Sequence, residues 1–390
     1  MALVPLAYNA RSLWQRRGAT LLAVLSIGAT VAVLSGMLCL QQGFTSVQTQ
    51  GGRKDLAIFM RPGAQSEGQS AFDLERARII LKETPEIAVD AKGAPLASAE
   101  MFLAASLPKN DGGKTNVPFR GVQQPTFAIH GDRLRIRDGG RRFTPGTDEV
   151  IVGAAMTERI QNCHVGDVLV INLTPFRVVG VFDAPGSYRS EIWGDVDRMR
   201  EALKAEQYNR IIARLKPGVS AKDVHARLED DARAPANVVD EATYLENQTG
   251  MLSAMLVVMG GFLAVLMGIG AVFTGTNSML SLVAARTHEI GILLATGFRP
   301  WAIFASFLLE AVLLGLCGGI AGCLLVLPLN GMQTGTTNWS TFTEIAFPFR
   351  FTPTVAIVAV IVALVLGLIG GAFPAWRAAR MTPTQALRRG

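Results

Sequence analysis

Charge is scarce in this sequence. Asp, Glu, Lys and Arg make up 17% of its 390 residues, against about 25% in soluble domains. The mean hydropathy is +0.32. That combination argues against an ordinary soluble globular chain and favours a membrane protein. Cysteine is sparse as well. Three of the four, Cys39, Cys317 and Cys323, fall inside apolar runs. Cys163 stands alone in the polar middle, which excludes an intradomain disulfide there. The histidines His130, His164, His225 and His288 are scattered. Cys163-His164 has no further Cys or His nearby in sequence, so a metal would need distant ligands. The middle region has no Gly-x-Ser-x-Gly, no His-Glu-x-x-His and no paired carboxylates in an apolar setting, so no hydrolytic site is legible. Gly113-Lys114-Thr115 looks like the end of a phosphate-binding loop. That loop needs a glycine where Pro108 stands, and Pro108 has no N–H to offer a phosphate. The sequence therefore predicts no ATPase in this chain. The net charge of +6 is modest, and much of the basic surplus flanks apolar runs. This pattern points to membrane topology rather than nucleic-acid binding.

What is abundant is long apolar sequence. Four runs, at 20–40, 251–281, 301–329 and 354–375, each reach the roughly 18 residues of a membrane-spanning helix. Ahead of the first, Leu3, Leu6, Ala7, Ala10, Leu13 and Trp14 recur at helical spacing among Arg11, Arg16 and Arg17. Residues 1–19 read as a basic amphipathic helix on a membrane surface. The run after it, about 20 residues, exceeds the 7–15 of a signal-peptide core, so it reads as a retained anchor. Arg11, Arg16 and Arg17, then Arg286 and Arg299, then Arg377, Arg380, Arg388 and Arg389 fall on one side of four spans. By the positive-inside rule that side, with both termini and the 376–390 tail, is cytoplasmic. Trp376 suits an interfacial anchor. The loop 330–353 and the large section 41–250 are then extracytoplasmic. Sequons at Asn247-Gln-Thr249 and Asn338-Trp-Ser340 carry no weight in a bacterial host.

Within 41–250, Asp55–Met60 reads as a strand, Phe72–Glu83 as a helix ended by Pro85, and Ile87–Val89 as the start of another strand. Asn209–Leu215, a helix from Ala221 to about Ala232, and Ala236–Val239 repeat the pattern. The two β-α-β pieces, about 50–105 and 207–245, suggest one α+β domain near the membrane. A strand-rich insertion at about 106–206 holds β-type runs at Pro118–Val122, Glu149–Val152, Val168–Asn172 and Phe176–Phe182. In the spans, Gly315 and Gly319, Gly318 and Gly322, and Gly367 and Gly371 are spaced to let helix backbones approach in lipid. Otherwise the spans carry too few polar groups to line a hydrophilic route.

The stretch around which the chain is organised is Leu282–Arg299, LVAARTHEIGILLATGFR, lying in the 282–300 loop between spans two and three. Glu289–Leu294 reads as a short amphipathic helix. Glu289 sits early, where the helix dipole favours an anion, and Gly297 sits where a C-terminus favours glycine. Arg286, His288, Glu289, Ile290, Gly291, Ile292, Leu293, Ala295, Gly297 and Arg299 resemble the loop of MacB/FtsX-type ABC permeases, R-x-x-E-I-G-I-L-R-A-L-G. The sequence departs from it at Leu294, where that pattern has arginine. The order Arg142-Phe143, Glu149–Gly153, Val165-Gly166-Asp167 and Phe176–Phe182 resembles the periplasmic core of the same family. The ending from Pro374-Ala375 through Ala378-Ala379-Arg380, Pro383 and Ala386-Leu387-Arg388 resembles its closing P-A-x-x-A-A-R-x-x-P-x-x-A-L-R.

The resemblance implies a four-span α-helical membrane protein with a large α+β extracytoplasmic domain inserted between the first and second helices. It implies an ABC ATPase on a separate chain, in two copies that carry the ATP and Mg, docked on Arg286, His288, Glu289, Ile290, Gly291, Gly297 and Arg299. It implies a second permease chain, a homodimer in preference to a heterodimer, in the bacterial inner membrane. The expected mechanism is mechanotransmission: ATP-driven closure moves the outer domains and drives export or release of a substrate. Export with a periplasmic adaptor and an outer-membrane channel, lipoprotein release of the Lol type, and FtsX-like signalling to a cell-wall hydrolase all remain open. The size of the β insertion favours the first two. Glu310 is the only formal charge well inside span three, about 13 Å along the helix from Trp301. It should be protonated, paired or facing protein, because a charge there costs about 2.5–3.5 kcal/mol. Its Leu-Glu-Ala setting matches a Glu-Ala pair of the family.

Overall fold

The computed structural model describes residues 17–49, 51–338 and 343–382. Nearly all of the amphipathic helix expected at 1–19, the 383–390 ending and the sequon at Asn338 through Ser340 lie wholly or partly outside those residues. The described helices run α1 (Arg17–Thr49), α2 (Leu74–Glu83), α3 (Pro125–His130), α4 (Val196–Leu203), α5 (Ala221–Leu228), α6 (Glu241–Ala285), α7 (Thr287–Ala295), α8 (Pro300–Val326) and α9 (Pro353–Ala379). The strands are β1 (Leu56–Met60), β2 (Ala97–Pro108), β3 (Lys114–Val122), β4 (Arg135–Ile136), β5 (Glu149–Gly153), β6 (Val168–Ile171), β7 (Thr174–Asp183), β8 (Ile192–Asp195), β9 (Arg210–Arg214), β10 (Asn237–Asp240), β11 (Gln333–Asn338) and β12 (Thr343–Pro348). The chain divides into two compact units. A helical unit takes the described residues up to Gly43, Leu252–Met332 and the described residues from Pro348 onward; a sheet unit takes Phe44–Met251 and Gln333–Phe347.

Among the described residues, four helices are long and apolar enough to cross a membrane: Thr20–Ser46, Glu241–Ala285, Pro300–Leu329 and Pro353–Ala379. Proline starts two of them at a position whose N–H has no partner in any helix, Pro300 in α8 and Pro353 in α9. The Thr352 hydroxyl also accepts the Val355 N–H to cap α9. Within the helical unit, α8 presents glycine on two faces. On one, a Cβ at Gly315 would lie 2.6 Å from the Ala363 carbonyl oxygen, and one at Gly319 would lie 2.8 Å from the Ala363 Cβ. On the other, a Cβ at Gly322 would lie 2.7 Å from the Gly28 carbonyl oxygen of α1, and Gly318 would strike Ile27. From α9, Gly367 is held against the Ala311 carbonyl and Gly371 against the Ala311 side chain. Close backbone approach of this kind maximises dispersion where lipid removes the hydrophobic drive between helices.

The sheet unit forms around strands whose hydrophobic residues are buried on both faces, such as Leu56–Met60. Among the described residues, ten strands form one sheet in the order β10-β1-β9-β2-β3-β8-β5-β7-β4, with β6 on β7. The pairings β3–β8 and β5–β7 are parallel, and β1 lies antiparallel between β9 and β10, with Ile58 opposite both Ile212 and Val239. The two expected β-α-β pieces thus interleave. The sequence-based boundary near residue 106 does not divide two parts. It falls inside β2, whose Ala97–Glu100 pair with β9 and whose Met101–Pro108 pair with β3. One core runs through both halves, from Phe59 and Ile211 to Val150 and Phe176. The Ile87–Val89 strand reduces to isolated bridges, Ile87 with Leu215 and Val89 with Pro95. The helix expected at Ala221 to about Ala232 stops at Leu228, behind a Ser220–Asp223 capping box. Gly112 at φ +93° and Gly113 at φ +81° close the β2–β3 hairpin, and Lys114-Thr115 open β3 opposite Pro108 and Leu107. A strand, not a phosphate-facing helix, follows the turn. The expected 330–353 loop contributes the β11–β12 hairpin, and its residues 333–347 belong to the sheet unit. Cys163 is fully buried, and desolvation pushes its thiol up to about 12.

Gly367→Ala should lower the melting stability of the purified, detergent-solubilised chain by about 1–3 kcal/mol, the usual cost of overpacking. Gly261→Ala, with nothing within 4 Å of its added Cβ, should be neutral or mildly stabilising. Equal melting temperatures for the two variants would refute this packing account.

Candidate functional site

In the 282–300 segment the helix expected at Glu289–Leu294 runs Thr287–Ala295, and the helix before it extends into the segment as far as Ala285. Helix α6 ends at Ala285, and Arg286, at φ −108° and ψ 15°, breaks the helix before α7 begins. The Thr287 hydroxyl donates back to the carbonyls of Val283 (3.2 Å) and Ala284 (2.8 Å), a competing bond that helps end a helix. At the far end, Gly297 N–H donates to Leu294 (3.2 Å) and Phe298 N–H to Leu293 (3.0 Å). With Gly297 at φ +93°, this is a Schellman closure, and it needs glycine. Ile290 and Gly291 turn inward, Ile290 joining Met279, Val283, Ile303 and Phe307. Gly291 therefore packs within the chain and is not on the open face. Leu294, at the position where the family pattern has arginine, is half-buried against that same core. His288, Glu289, Ile292 and Arg299 are exposed.

Arg286 points into the helical unit, with 14% of its side chain exposed. Its guanidinium lies 3.5 Å from the Glu310 carboxylate of α8 and 3.9 Å from that of Glu289. Glu310 is 1% exposed. The charge that looked isolated in the sequence is thus paired with Arg286, the residue that precedes α7. Truncating one member of a buried pair leaves the other uncompensated. A groove lined by Arg286, Glu289, Ile290, Leu293, Ile303 and Phe307 opens beside the pair.

The sheet unit holds a cluster that the sequence did not reveal. Arg120 (β3) and Arg210 (β9) are each 1% exposed and meet Glu67, Glu100 (β2) and Glu191. Arg120 binds Glu191 through two nitrogens, at 2.6 and 2.8 Å, and Glu67 at 2.6 Å. Arg210 binds Glu100 at 2.8 Å and Glu67 at 2.9 Å. Three carboxylates face two guanidiniums, and neutral donors make up the difference. Trp193 Nε1 donates to Glu191 (2.7 Å), Thr126 Oγ1 to Glu100 (3.0 Å) and Tyr244 Oη to Glu67 (3.3 Å). Desolvation pushes the Glu67 carboxyl up, but the guanidiniums of Arg120 and Arg210 outweigh it and hold it below its ordinary range. Desolvation, reinforced by the same two guanidiniums, pushes His130 down to about 3, so it packs as neutral imidazole 5.1 Å from the Tyr188 ring. Among the described residues, no group of three or more His, Cys, Asp and Glu could hold a metal ion.

Residues 20–231 match the family model described as the MacB-like periplasmic core domain, and residues 261–383 match the FtsX-like permease C-terminal. The chain is an ABC transporter permease component. It belongs to the MacB/FtsX-type permeases. It is 29% identical over 295 residues to the macrolide export ATP-binding/permease protein MacB of Sodalis glossinidius (strain morsitans), covering 70% of this chain and 43% of that protein. It is 28% identical over 236 residues to the pyoverdine export ATP-binding/permease protein PvdT of Pseudomonas putida, covering 57% of this chain and 35% of that protein. The chain thus spans at most about two-fifths of the length of these curated relatives. Among solved structures, the extracellular domain of the noncanonical ABC-type transporter YknZ from Gram-positive bacteria aligns with 47% of this chain and 99% of its own, at 16% identity and a TM-score of 0.35.

Arg120→Met should cost about 3–5 kcal/mol of stability, because it strands buried carboxylates. The sign of the pH dependence follows from Glu67. Its depressed folded pKa contributes stability above the ordinary Glu range near 4.3, and that stability is lost as pH falls through the lower folded value. The gap in melting stability between parent and Arg120→Met should therefore be widest at neutral pH and shrink below about pH 4. A gap that widens on acidification would contradict the assignment.

Proposed function

We propose that this chain is the permease subunit of an inner-membrane ABC transporter whose ATPase is a separate chain. It converts ATP hydrolysis into movement of the extracytoplasmic sheet unit and so drives export or release of a substrate from the periplasm or outer leaflet. The four apolar helices span the bilayer with both termini cytoplasmic, and the sheet unit is inserted outside between the first and second. Two copies of the permease, a homodimer, act with two ATPase subunits. The chain itself is non-catalytic, and ATP and Mg belong to the partner.

One observation carries this reading. Helix α7 is short and capped at its C-terminus, it buries Ile290, and it leaves His288, Glu289 and Ile292 open. A helix anchored on one face and open on the other fits a groove in a soluble partner. The Arg286–Glu310 pair supplies the next step. A push on α7 acts on a residue held by a buried carboxylate in α8, so the loop cannot shift without disturbing that helix. Glu310 then tethers the docking helix to the span, and the low polarity of the spans agrees with a transporter that moves substrate outside the bilayer.

Two measurements test it. Glu289→Lys should reduce co-purification of the ATPase about five-fold or more, on the scale of a lost interfacial charge contact, with membrane insertion unchanged. In a transport assay, Glu310→Gln, which keeps an acceptor for Arg286, should retain most activity, whereas Glu310→Leu should lose coupling or assembly. Full complex formation by Glu289→Lys, or transport by Glu310→Leu at the parent level, would overturn the docking role. Topology is tested separately with a membrane-impermeant maleimide on intact cells. The buried Cys163 should not react, and a cysteine at Gly112 would be strained by the positive φ there. Asp111→Cys, at an exposed hairpin tip, should label. Labelling of that variant only after lysis would place the sheet unit inside the cell.

A further inference from the structure

The seven residues Pro185–Glu191 touch three of the places where the chain leaves the sheet unit for the apolar helices. The chain passes between units after Gly43, after Met251, after Met332 and after Phe347. Beyond the first passage, Gly51 packs on Pro185, so closely that a Cβ there would lie 3.3 Å from the Pro185 carbonyl. Before the second, α6 begins at Glu241, which is 1% exposed and accepts the Tyr188 hydroxyl at 2.9 Å and the Arg53 N–H at 3.1 Å. At the fourth, Ala346 N–H donates to Ser190 Oγ at 3.4 Å, and Phe347 meets Phe44 edge-on with centroids 5.4 Å apart. Inward, the same segment enters the ionic cluster. Tyr188 Oη accepts Arg210 at 3.2 Å, and Glu191 holds Arg120. It is also fixed to β5, where Gly153 N–H donates to the Glu191 carbonyl at 2.8 Å.

We propose that Pro185–Glu191 is the transmission segment of the sheet unit, with Tyr188 and Ser190 as its positioning residues. It gathers movement from the ends of α1 and α6 and from the β11–β12 hairpin, and delivers it to β3 and β9 through Arg120 and Arg210. This rests on the mechanotransmission reading above. The geometry favours one segment over diffuse coupling because Tyr188 joins α6 and β9 through a single hydroxyl, which donates to Glu241 and accepts from Arg210. A bonded chain of buried polar groups is a physically contiguous route for coupling.

The test is amide hydrogen exchange on the full complex of permease and ATPase, nucleotide-free against ATP-bound, read at residues 118–122 of β3 and 210–214 of β9. The parent should show a nucleotide-dependent difference there. Tyr188→Phe and Ser190→Ala should each shrink it about two-fold or more, with ATP hydrolysis retained. Thr126→Ala removes another buried hydroxyl of the cluster, the one on Glu100, and should behave as the parent. If Tyr188→Phe fails to assemble, Ser190→Ala decides, since it opens no buried charge. No difference in the parent sinks the transmission reading and this proposal with it. A difference kept in the Tyr188 and Ser190 variants, or lost equally in Thr126→Ala, overturns the role of the segment alone.

Discussion

The constraint on which the sheet unit depends is the company kept by Arg120 and Arg210. A buried guanidinium is tolerable only if its charge and its donors are both answered. Here Glu67, Glu100 and Glu191 answer the charge, and the surplus carboxylate is stabilised by an indole N–H, a threonine hydroxyl and a tyrosine hydroxyl. Arginine suits this work better than lysine, because its planar fork can hold two carboxylates at once in fixed directions. The cluster contributes little net stability beyond an apolar core of equal volume. What it contributes is register. Glu100, Arg120 and Arg210 lie on three adjacent strands, so a slip of β2, β3 or β9 by one residue would turn its charge to the other face of the sheet and leave the others without a counterion.

The helical unit solves a different problem by different means. Among the described residues its helices are aligned by few polar contacts, Arg286 with Glu310 and the Thr276 hydroxyl donating to the Gly370 carbonyl at 2.9 Å among them, so shape does most of the work. Glycines on opposite faces of α8 admit α9 on one side and α1 on the other. The backbone contacts are short enough that an alanine would force the helices apart. The one buried ion pair sits at the loop end of α8, close to α7, where the proposed function requires movement to enter. Elsewhere in that unit the buried side chains are apolar or small.

The parts legible in the sequence were those encoded locally. Apolar length gave the four helices, and Gly297 gave the end of α7. The isolated charge of Glu310 signalled a partner, although its identity was out of reach because all of α7, a turn and the start of α8 separate it from Arg286. The ionic cluster was not legible, for two reasons. Glu67 and Arg210 lie 143 positions apart, and Glu100, Arg120 and Arg210 stand beside apolar residues, where a lone charge does not name its partner. Strand β2 was missed for a related cause. Ala97–Pro108 is buried on both faces through Phe102, so it has no period-two alternation, and its Ala, Ser and Glu are poor strand formers. The Glu100 that breaks its apolar pattern is the residue the cluster requires. The expected insertion boundary failed there too, since a boundary drawn on composition cannot see a strand that hydrogen-bonds to both halves.

Helix α6 joins these arguments. It begins at Glu241 and ends at Ala285. At its start, a buried carboxylate holds Tyr188 and the backbone of Arg53. At its end, the next residue, Arg286, is held by the buried carboxylate of Glu310. Neither tether is a strong source of stability, since each must offset the desolvation of its own charge. Each is instead directional. Hydrogen bonds and ion pairs between buried partners weaken steeply with displacement, whereas the apolar contacts along the rest of the helix tolerate sliding. A helix tied at both ends by such bonds, with many of its apolar residues between them exposed, is disturbed mainly at its ends when pushed. That property suits the proposed mechanotransmission.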